Sequence, residues 1–234
     1  MAGFPPTVTP WDARRADKDA RMSIETVYIA LDVETTGSRL GVDSMLSIGA
    51  CVVPREPKSY EDMVREGFVF YEELKPTSFE YIPAAIRVGA SELDALKSCS
   101  HIPRMFPKNP FFEPREAIRY LQDVCTYPPT AMRRFAKWIE DMGRFKRIEP
   151  VVDTVFFDSG WINLAFGVHL GVESPFGYSG LDLDSLWRGA TGKEKARLKE
   201  IGLVDDRKRP HKADEDAAFL AKIAQRVLYE KYQW

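Results

Sequence analysis

The chain has 234 residues, 44% of them hydrophobic and 29% charged, with a formal net charge of −2. This is enough apolar material for one sizeable core, and the near balance of charge excludes a protein that coats nucleic acid through bulk positive charge. No apolar run approaches the roughly 18–20 residues that cross a bilayer, and the prolines and mixed charges of residues 1–21 are unlike a signal peptide, so a soluble, cytoplasmic protein with no membrane partner is expected. Cys51, Cys99 and Cys125 make an odd set without a C-x-x-C pair, which predicts reduced thiols rather than a disulfide framework or zinc knuckle.

In chain order, residues 1–23 carry Pro5, Pro6 and Pro10 ahead of an unpatterned charged run and read as a flexible arm, leaving 24–234 as a single domain. Segments 27–34, 46–53 and 67–74 are short β-branched or aromatic runs, read as three consecutive antiparallel strands. Residues 83–97 read as helix interrupted at Gly89. Pro103, Pro107, Pro110, Pro114 and Pro128 surround Phe106, Phe111 and Phe112, so 98–128 is expected to be an irregular excursion: a lid, a dimer contact or a packed loop. Met132, Phe135, Ala136, Ile139 and Met142 recur at helical spacing, predicting a helix over 130–145. A strand over 151–157 follows, then a helix starting at or just after Asp158, a short helix over 181–189 and a last one over 214–231. Three strands followed by alternating helices and a strand predict a mixed α/β sheet, antiparallel then parallel, with helices on both faces.

Strand alternation sets Val27, Ile29, Leu31 and Val33 on one side and Tyr28, Ala30, Asp32 and Glu34 on the other. Two carboxylates at the end of an apolar strand repel each other and resist desolvation unless a cation lies between them, and hard divalent cations take such oxygen ligands. The alternative is a strand running out into a polar turn. Asp216 shares a helix face with Leu220, Ile223 and Val227 at i+4, i+7 and i+11, so its carboxylate faces apolar surroundings. A cation, the helix dipole or a nearby arginine would each suit it. Asp158 closes the apolar run VVDTVFF and precedes Trp161, Ile162, Leu164 and Phe166, as a third acid in core-forming sequence or as a helix cap; Asp153 competes with it from mid-strand. Pro210 disfavours helix at Arg209, which leaves His211 in the loop before the last helix, able to reach the site Asp216 faces. Imidazole is the side chain suited to taking a proton from water near neutrality.

These residues, in this order, resemble the DEDDh 3′→5′ exonucleases. LDVETTG at 31–37 is similar to the family's D-x-E-T-T-G, FFDSGWI at 156–162 to its F-D-x-x-[WF]-[ILV], and HKADED at 211–216 to its H-x-A-x-x-D; IPAAIRVGASEL at 82–93 is a weaker echo. Where many relatives have His-Asn before the second aspartate this chain has Asp153 and Thr154, and Val88 stands where a histidine is frequent, so substrate contacts do not transfer there.

The resemblance implies a ribonuclease H-like fold and two-metal phosphodiester hydrolysis at the 3′ end of single-stranded DNA or RNA, releasing nucleoside monophosphates. By it, Asp32, Glu34, Asp158 and Asp216 hold two Mg²⁺ or Mn²⁺ ions, Glu34 and His211 are catalytic with His211 the general base, and Thr35, Thr36, Gly37, Leu40 and Met45 meet the substrate, Leu40 or Met45 as a wedge beside the last base. Residues 193–212 hold eight Lys or Arg against four acids, either an arm that guides phosphates or a solvated charged face. Trp161, Phe176 and Trp187 are read as base-stacking or core aromatics. A silent nucleic-acid adaptor of the same fold, an endonuclease or short-oligonucleotide nuclease, and a structural module are the rival readings. A homodimer and a polymerase or repair partner both stay open.

Overall fold

In the computed structural model, residues 26–231 are described; the arm expected over residues 1–23 lies outside them. The β-branched and apolar run TVYIALDVET forms the central strand β1 (Thr26–Thr35). It pairs antiparallel with β2 (Met45–Val52), which pairs antiparallel with β3 (Val69–Glu73). On its other edge β1 runs parallel to β4 (Arg147–Val152), and β4 to the short β5 (Leu181–Asp182), giving the order β3-β2-β1-β4-β5. The carboxyl ends of β1 and β4 therefore lie side by side where the sheet changes direction, the crevice in which open α/β sheets place their sites.

Helices α1 (Tyr60–Arg65), α2 (Pro83–Gly89), α3 (Asp94–Lys97), α4 (Pro114–Val124), α5 (Pro128–Asp141), α6 (Asp158–Leu170), α7 (Leu183–Thr191) and α8 (Ala213–Gln225) surround the sheet, and a π-helical turn, Arg226–Lys231, continues α8. Ile29, Leu31 and Val33 face Met132, Phe135 and Ile139 of α5 and Trp161, Ile162 and Phe166 of α6. Ala30, Cys51 and Val151 face Leu183 and Trp187 of α7 and the alanine-rich side of α8. The helices do cover both faces, and the strand alternation read from the sequence decides which residue meets which. Among the described residues, no helix is long and apolar enough to cross a membrane. Cys51, Cys99 and Cys125 are buried free thiols.

Three expectations need correction, and one helix was not foreseen. The fourth strand ends at Val152 rather than running to 157, because Asp153 and Thr154 open a turn closed by the Phe157 N–H donating to the Thr154 carbonyl at 3.0 Å; Phe156 is left 90% exposed. Leu181 and Asp182 pair with β4 instead of starting a helix, and the Asp182 carboxylate caps α7 by accepting from the Ser185 N–H at 2.7 Å. The stretch YEDMVR is a short helix, α1, capped by Ser59, where the sequence offered no helical period long enough to show it.

Residues 98–128 are not irregular throughout. Pro114 is the first residue of α4, where its missing N–H and fixed φ suit a helix start. Met105, Phe112, Ile118 and Leu121 form a third apolar cluster with Leu46, Ile86 and Leu96. The Arg87 guanidinium donates to the carbonyls of Pro107 and Asn109 at 2.9 and 3.0 Å and lies over the Phe112 ring at 5.3 Å, fastening the segment to α2. Phe111 remains exposed.

Candidate active site

Four acids reach one place from three elements. Asp32 and Glu34 stand on the face of β1 that α8 covers, and the register between β1 and β2 slips between Glu34 and Thr35. Such a bulge re-aims side chains at a strand end. Asp158 is the first residue of α6, with Phe157 at the cap position, and its Oδ1 accepts from the Val33 N–H at 3.1 Å. This bond carries the carboxylate from the end of β4 across to β1, between its two acids.

Asp216 comes from the first turn of α8, and α8 can come close because β2 has no side chain at Gly49. A Cβ there would stand 1.9 Å from the Ala213 carbonyl oxygen, and 2.5 Å from the Asp214 nitrogen. Gly89, the last residue of α2, lets that helix end against β1 in the same way, a Cβ falling 2.5 Å from the Thr35 carbonyl oxygen and 3.1 Å from Glu34 Oε2.

The three acids of the α8 first turn take separate directions. Asp214 accepts from the Tyr60 hydroxyl at 2.6 Å and pairs with Lys212 at 3.2 Å. Glu215 accepts from the backbone of the preceding loop. Asp216 faces the pocket: its Oδ2 accepts from the His211 N–H at 3.0 Å, and its Oδ1 pairs with Arg207 at 2.9 Å. The arginine pairing that the sequence left open for Asp216 is thus present, at the rim of the acid cluster rather than in place of it.

The electrostatics follow from crowding. Burial, then the charges of Asp216 and Asp158, push Glu34 up to about 8. Burial lifts Asp158 to about 7 against the Val33 hydrogen bond, with Asp153 adding repulsion. Asp32 is held well above the usual carboxylate range by burial first, then by Asp158, Glu34 and Asp216, while Arg207 pulls the other way. Burial also raises Asp216, opposed by Arg207. Asp32 Oδ2 is a buried oxygen without a hydrogen-bond partner, and Glu34, His211 and Asp216 each present a ligand atom within 4.8 Å of the others. A buried acceptor without a donor, among carboxylates that repel one another, is the donor set a hard divalent cation satisfies.

No family model matches the chain. Among solved structures, the nuclease domain of 3'hExo, a DEDDh family member bound to rAMP, superposes with a TM-score of 0.61 over 90% of this chain and 96% of its own, at 14% identity. The zinc-bound E. coli ExoI–ssDNA complex gives 0.54 at 14% identity, over 89% of this chain and 41% of its own. The sheet order and flanking helices are therefore the ribonuclease H-like fold. In sequence, the 3'-5' DNA exonuclease Cap18 of Escherichia coli is 31% identical over 208 residues, 84% of this chain and 89% of that protein. The chain belongs to the DEDDh 3′→5′ exonucleases.

In this DEDDh exonuclease, the five residues expected at the substrate are not brought together at the surface. Leu40 is exposed and lies over Gly160, where a Cβ would meet its Cδ1 at 3.3 Å. Thr36 is fully buried; its hydroxyl donates to the Glu80 carbonyl at 2.9 Å and accepts from the Ser44 N–H at 2.8 Å, so its side chain holds the loop together instead of facing a strand. The Thr35 hydroxyl is buried and turned to the Gly37 carbonyl at 2.7 Å. Gly37 also has an internal reason to lack a side chain: a Cβ would come 2.4 Å from the Asp43 carboxylate. Met45 is buried in the α5–α6 core and lines a cavity of about 190 Å³ with Trp161, Leu164 and Val168.

Trp161, Phe176 and Trp187 are core residues. Of the basic stretch, Arg207, Lys208, Arg209 and Lys212 are paired with Asp205 and Asp216, Glu61, Asp94 and Glu215, and Asp94 and Asp214 respectively. Lys193, Lys195, Arg197 and Lys199 are exposed. Sequence reasoning missed Arg207 as a partner of the acid cluster, since its charge reads as one among eight; it missed Gly49 too, although a glycine inside an apolar strand signals close backbone approach.

Proposed function

We propose that the chain hydrolyses single-stranded DNA stepwise from its 3′ end, releasing nucleoside monophosphates, as one cytoplasmic exonuclease domain over residues 24–234. The observation that carries this reading is the meeting of Asp32, Glu34, Asp158 and Asp216 within one another's fields, with Asp32 Oδ2 buried and unpartnered. DNA is favoured because the 31% identical relative is a DNA exonuclease, and a reducing compartment because the three buried cysteines are unpaired. The ssDNA in the ExoI complex and the rAMP on 3'hExo are ligands of the kind this cleft would take.

Asp32, Glu34, Asp158 and Asp216 would hold two Mg²⁺ or Mn²⁺ ions. When bound, the ions supply Lewis-acid stabilisation of the charge that builds on the attacking and leaving oxygens. His211, exposed at the pocket mouth with its backbone tied to Asp216, takes the proton of the attacking water. The water oxygen bonds to phosphorus as the bond to the 3′ oxygen breaks, leaving a 3′-hydroxyl on the shortened strand and a 5′-phosphate on the released nucleotide. Leu40, exposed beside the first turn of α6, would pack against the terminal base.

The test is a digest of 5′-labelled DNA and RNA strands of one sequence, with free or blocked 3′ ends, in Mg²⁺ or Mn²⁺. Free-ended DNA is expected to give a ladder shortening from the 3′ end, with blocked strands intact. Internal cuts in blocked strands would make the chain an endonuclease, an adaptor would release nothing, and faster loss of RNA would overturn the choice of DNA.

A further inference from the structure

Among the described residues, His211 is the one non-glycine residue with a left-handed backbone, at φ +70°. An L-residue keeps that conformation only where its surroundings over-determine it. The loop before α8 shows what does so. Glu215 Oε2 accepts from the backbone N–H groups of both Lys208 and Arg209 at 2.8 Å, and Oε1 accepts from Arg209 Nε at 2.8 Å. Arg209 also donates to Asp94 of α3 at 2.8 Å, and its carbonyl receives the Lys212 N–H at 3.1 Å. Lys212, buried over the Tyr71 ring at 3.9 Å, binds Asp94 and Asp214, each at 3.2 Å.

Two adjacent acids on one helical turn therefore grip the same segment from opposite ends: Asp216 holds His211 itself, and Glu215 holds the chain two and three residues ahead of it. Glu215 is 5% exposed and touches neither the acid cluster nor the pocket mouth through any of its bonds. A buried carboxylate with three donors, two of them backbone, is a rigid anchor, since each bond is charge-assisted.

We propose that Glu215 is a positioning residue, whose carboxylate clamps the Lys208–Arg209 backbone and thereby fixes His211 over Glu34 and Asp216. The inference rests on the reading of His211 as the base. It gives Glu215 a task distinct from that of its neighbour Asp216, and it predicts that the imidazole wanders when the clamp is released.

The chain has three histidines, His101, His169 and His211, so ring resonances of histidine-labelled full-length protein are few, and His211→Ala identifies the one of interest. Glu215→Ala is expected to shift and broaden the His211 resonance while those of His101 and His169 stay. It should also lower kcat about 10- to 100-fold with KM changed less than about twofold, the usual scale for a group that orients a catalytic one. Glu215→Gln keeps an oxygen for both backbone donors and is expected to restore the resonance and most of kcat. Glu61→Ala, which removes only the side-chain partner of Lys208, is expected to leave both unchanged.

Should Glu215→Ala not fold, Glu215→Asp, which keeps the charge but is one methylene short, is expected to displace the His211 resonance partway. An unmoved His211 resonance in either folded variant, or equal shifts at all three histidines, would overturn the proposal. The resonance reports where His211 sits whether or not the parent degrades DNA. Parental inactivity would thus remove the exonuclease reading separately from the clamp.

Discussion

Asp32→Asn is expected to lower the hydrolytic rate by at least about 10³-fold and, in EDTA, to raise the melting temperature. On the proposed reading the two effects have opposite signs, because the charge that would hold a metal ion is a cost to the fold. Asp32 sits among Asp158, Glu34 and Asp216, its Oδ2 buried without a donor. Losing one ligand of a divalent-ion site removes several kcal/mol of stabilisation of the developing charge, and about 1.4 kcal/mol is a factor of ten in rate. Asparagine has nearly the same volume, carries no charge and brings an N–H₂ that can donate to the neighbouring carboxylates. Relief of roughly 1–2 kcal/mol would appear as a rise of about 2–8 °C for a chain of this size. Calorimetry and the digest assay on the same preparation check both. A variant that keeps parental activity, or one that melts lower in EDTA, would contradict this origin of the strain.

The second expectation concerns pH. Glu34 titrates near about 8 and Asp158 near about 7 in the folded chain, both raised by burial first, whereas in the unfolded chain such carboxyls titrate near about 4. Between these values the folded state binds more protons than the unfolded one. Stability without added metal should therefore fall as pH rises from about 4 to about 8, by an amount on the order of a few kcal/mol. This reverses the usual carboxylate case, in which an ion pair lowers the folded value. Divalent ions bind the deprotonated ligands and release protons. Saturating Mn²⁺ should accordingly raise the melting temperature more at pH about 8.5 than at about 6. Melting curves over that range, with EDTA and with Mn²⁺, measure it; a flat profile in EDTA, or an equal metal shift at both pH values, would falsify the assignment of those charges to one pocket.

Much of this pocket was legible in the sequence because each acid breaks a local rule. Asp32 and Glu34 interrupt an apolar strand on one face, and Asp216 interrupts an apolar helix stripe; both periodicities are short-range and survive in the structure. Asp158 reads as the end of a strand, and it is not. The run VVDTVFF continues the apolar composition of a strand, but the chain turns at Asp153, and it is the turn that delivers Asp158 to the Val33 N–H. Apolar composition alone does not separate a strand from a buried turn.

What the sequence hid was mostly long-range. The pairing of Leu181 and Asp182 with β4 depends on a partner strand far away in the chain, and two residues show no period. Prolines in 98–128 read as breakers, although Pro114 starts a helix and the surrounding apolar residues make a cluster of their own. Thr36 and Gly37 read as substrate contacts because they follow the acids directly; their internal contacts, Thr36 with Glu80 and Gly37 against Asp43, leave no local pattern in the sequence. The different partners of Glu215 and Asp216 could not be told from order alone, since one helical step turns a side chain by about 100° and only the loop's path shows which of the two it meets.

The most direct measurement is anomalous diffraction from a crystal of the full chain grown with Mn²⁺. Two peaks are predicted, bounded by the carboxylates of Asp32, Glu34, Asp158 and Asp216, with His211 at the rim. Manganese bound elsewhere, or a pocket in which those four carboxylates hold no ion at saturating Mn²⁺, would contradict the proposal that they act together on a phosphodiester.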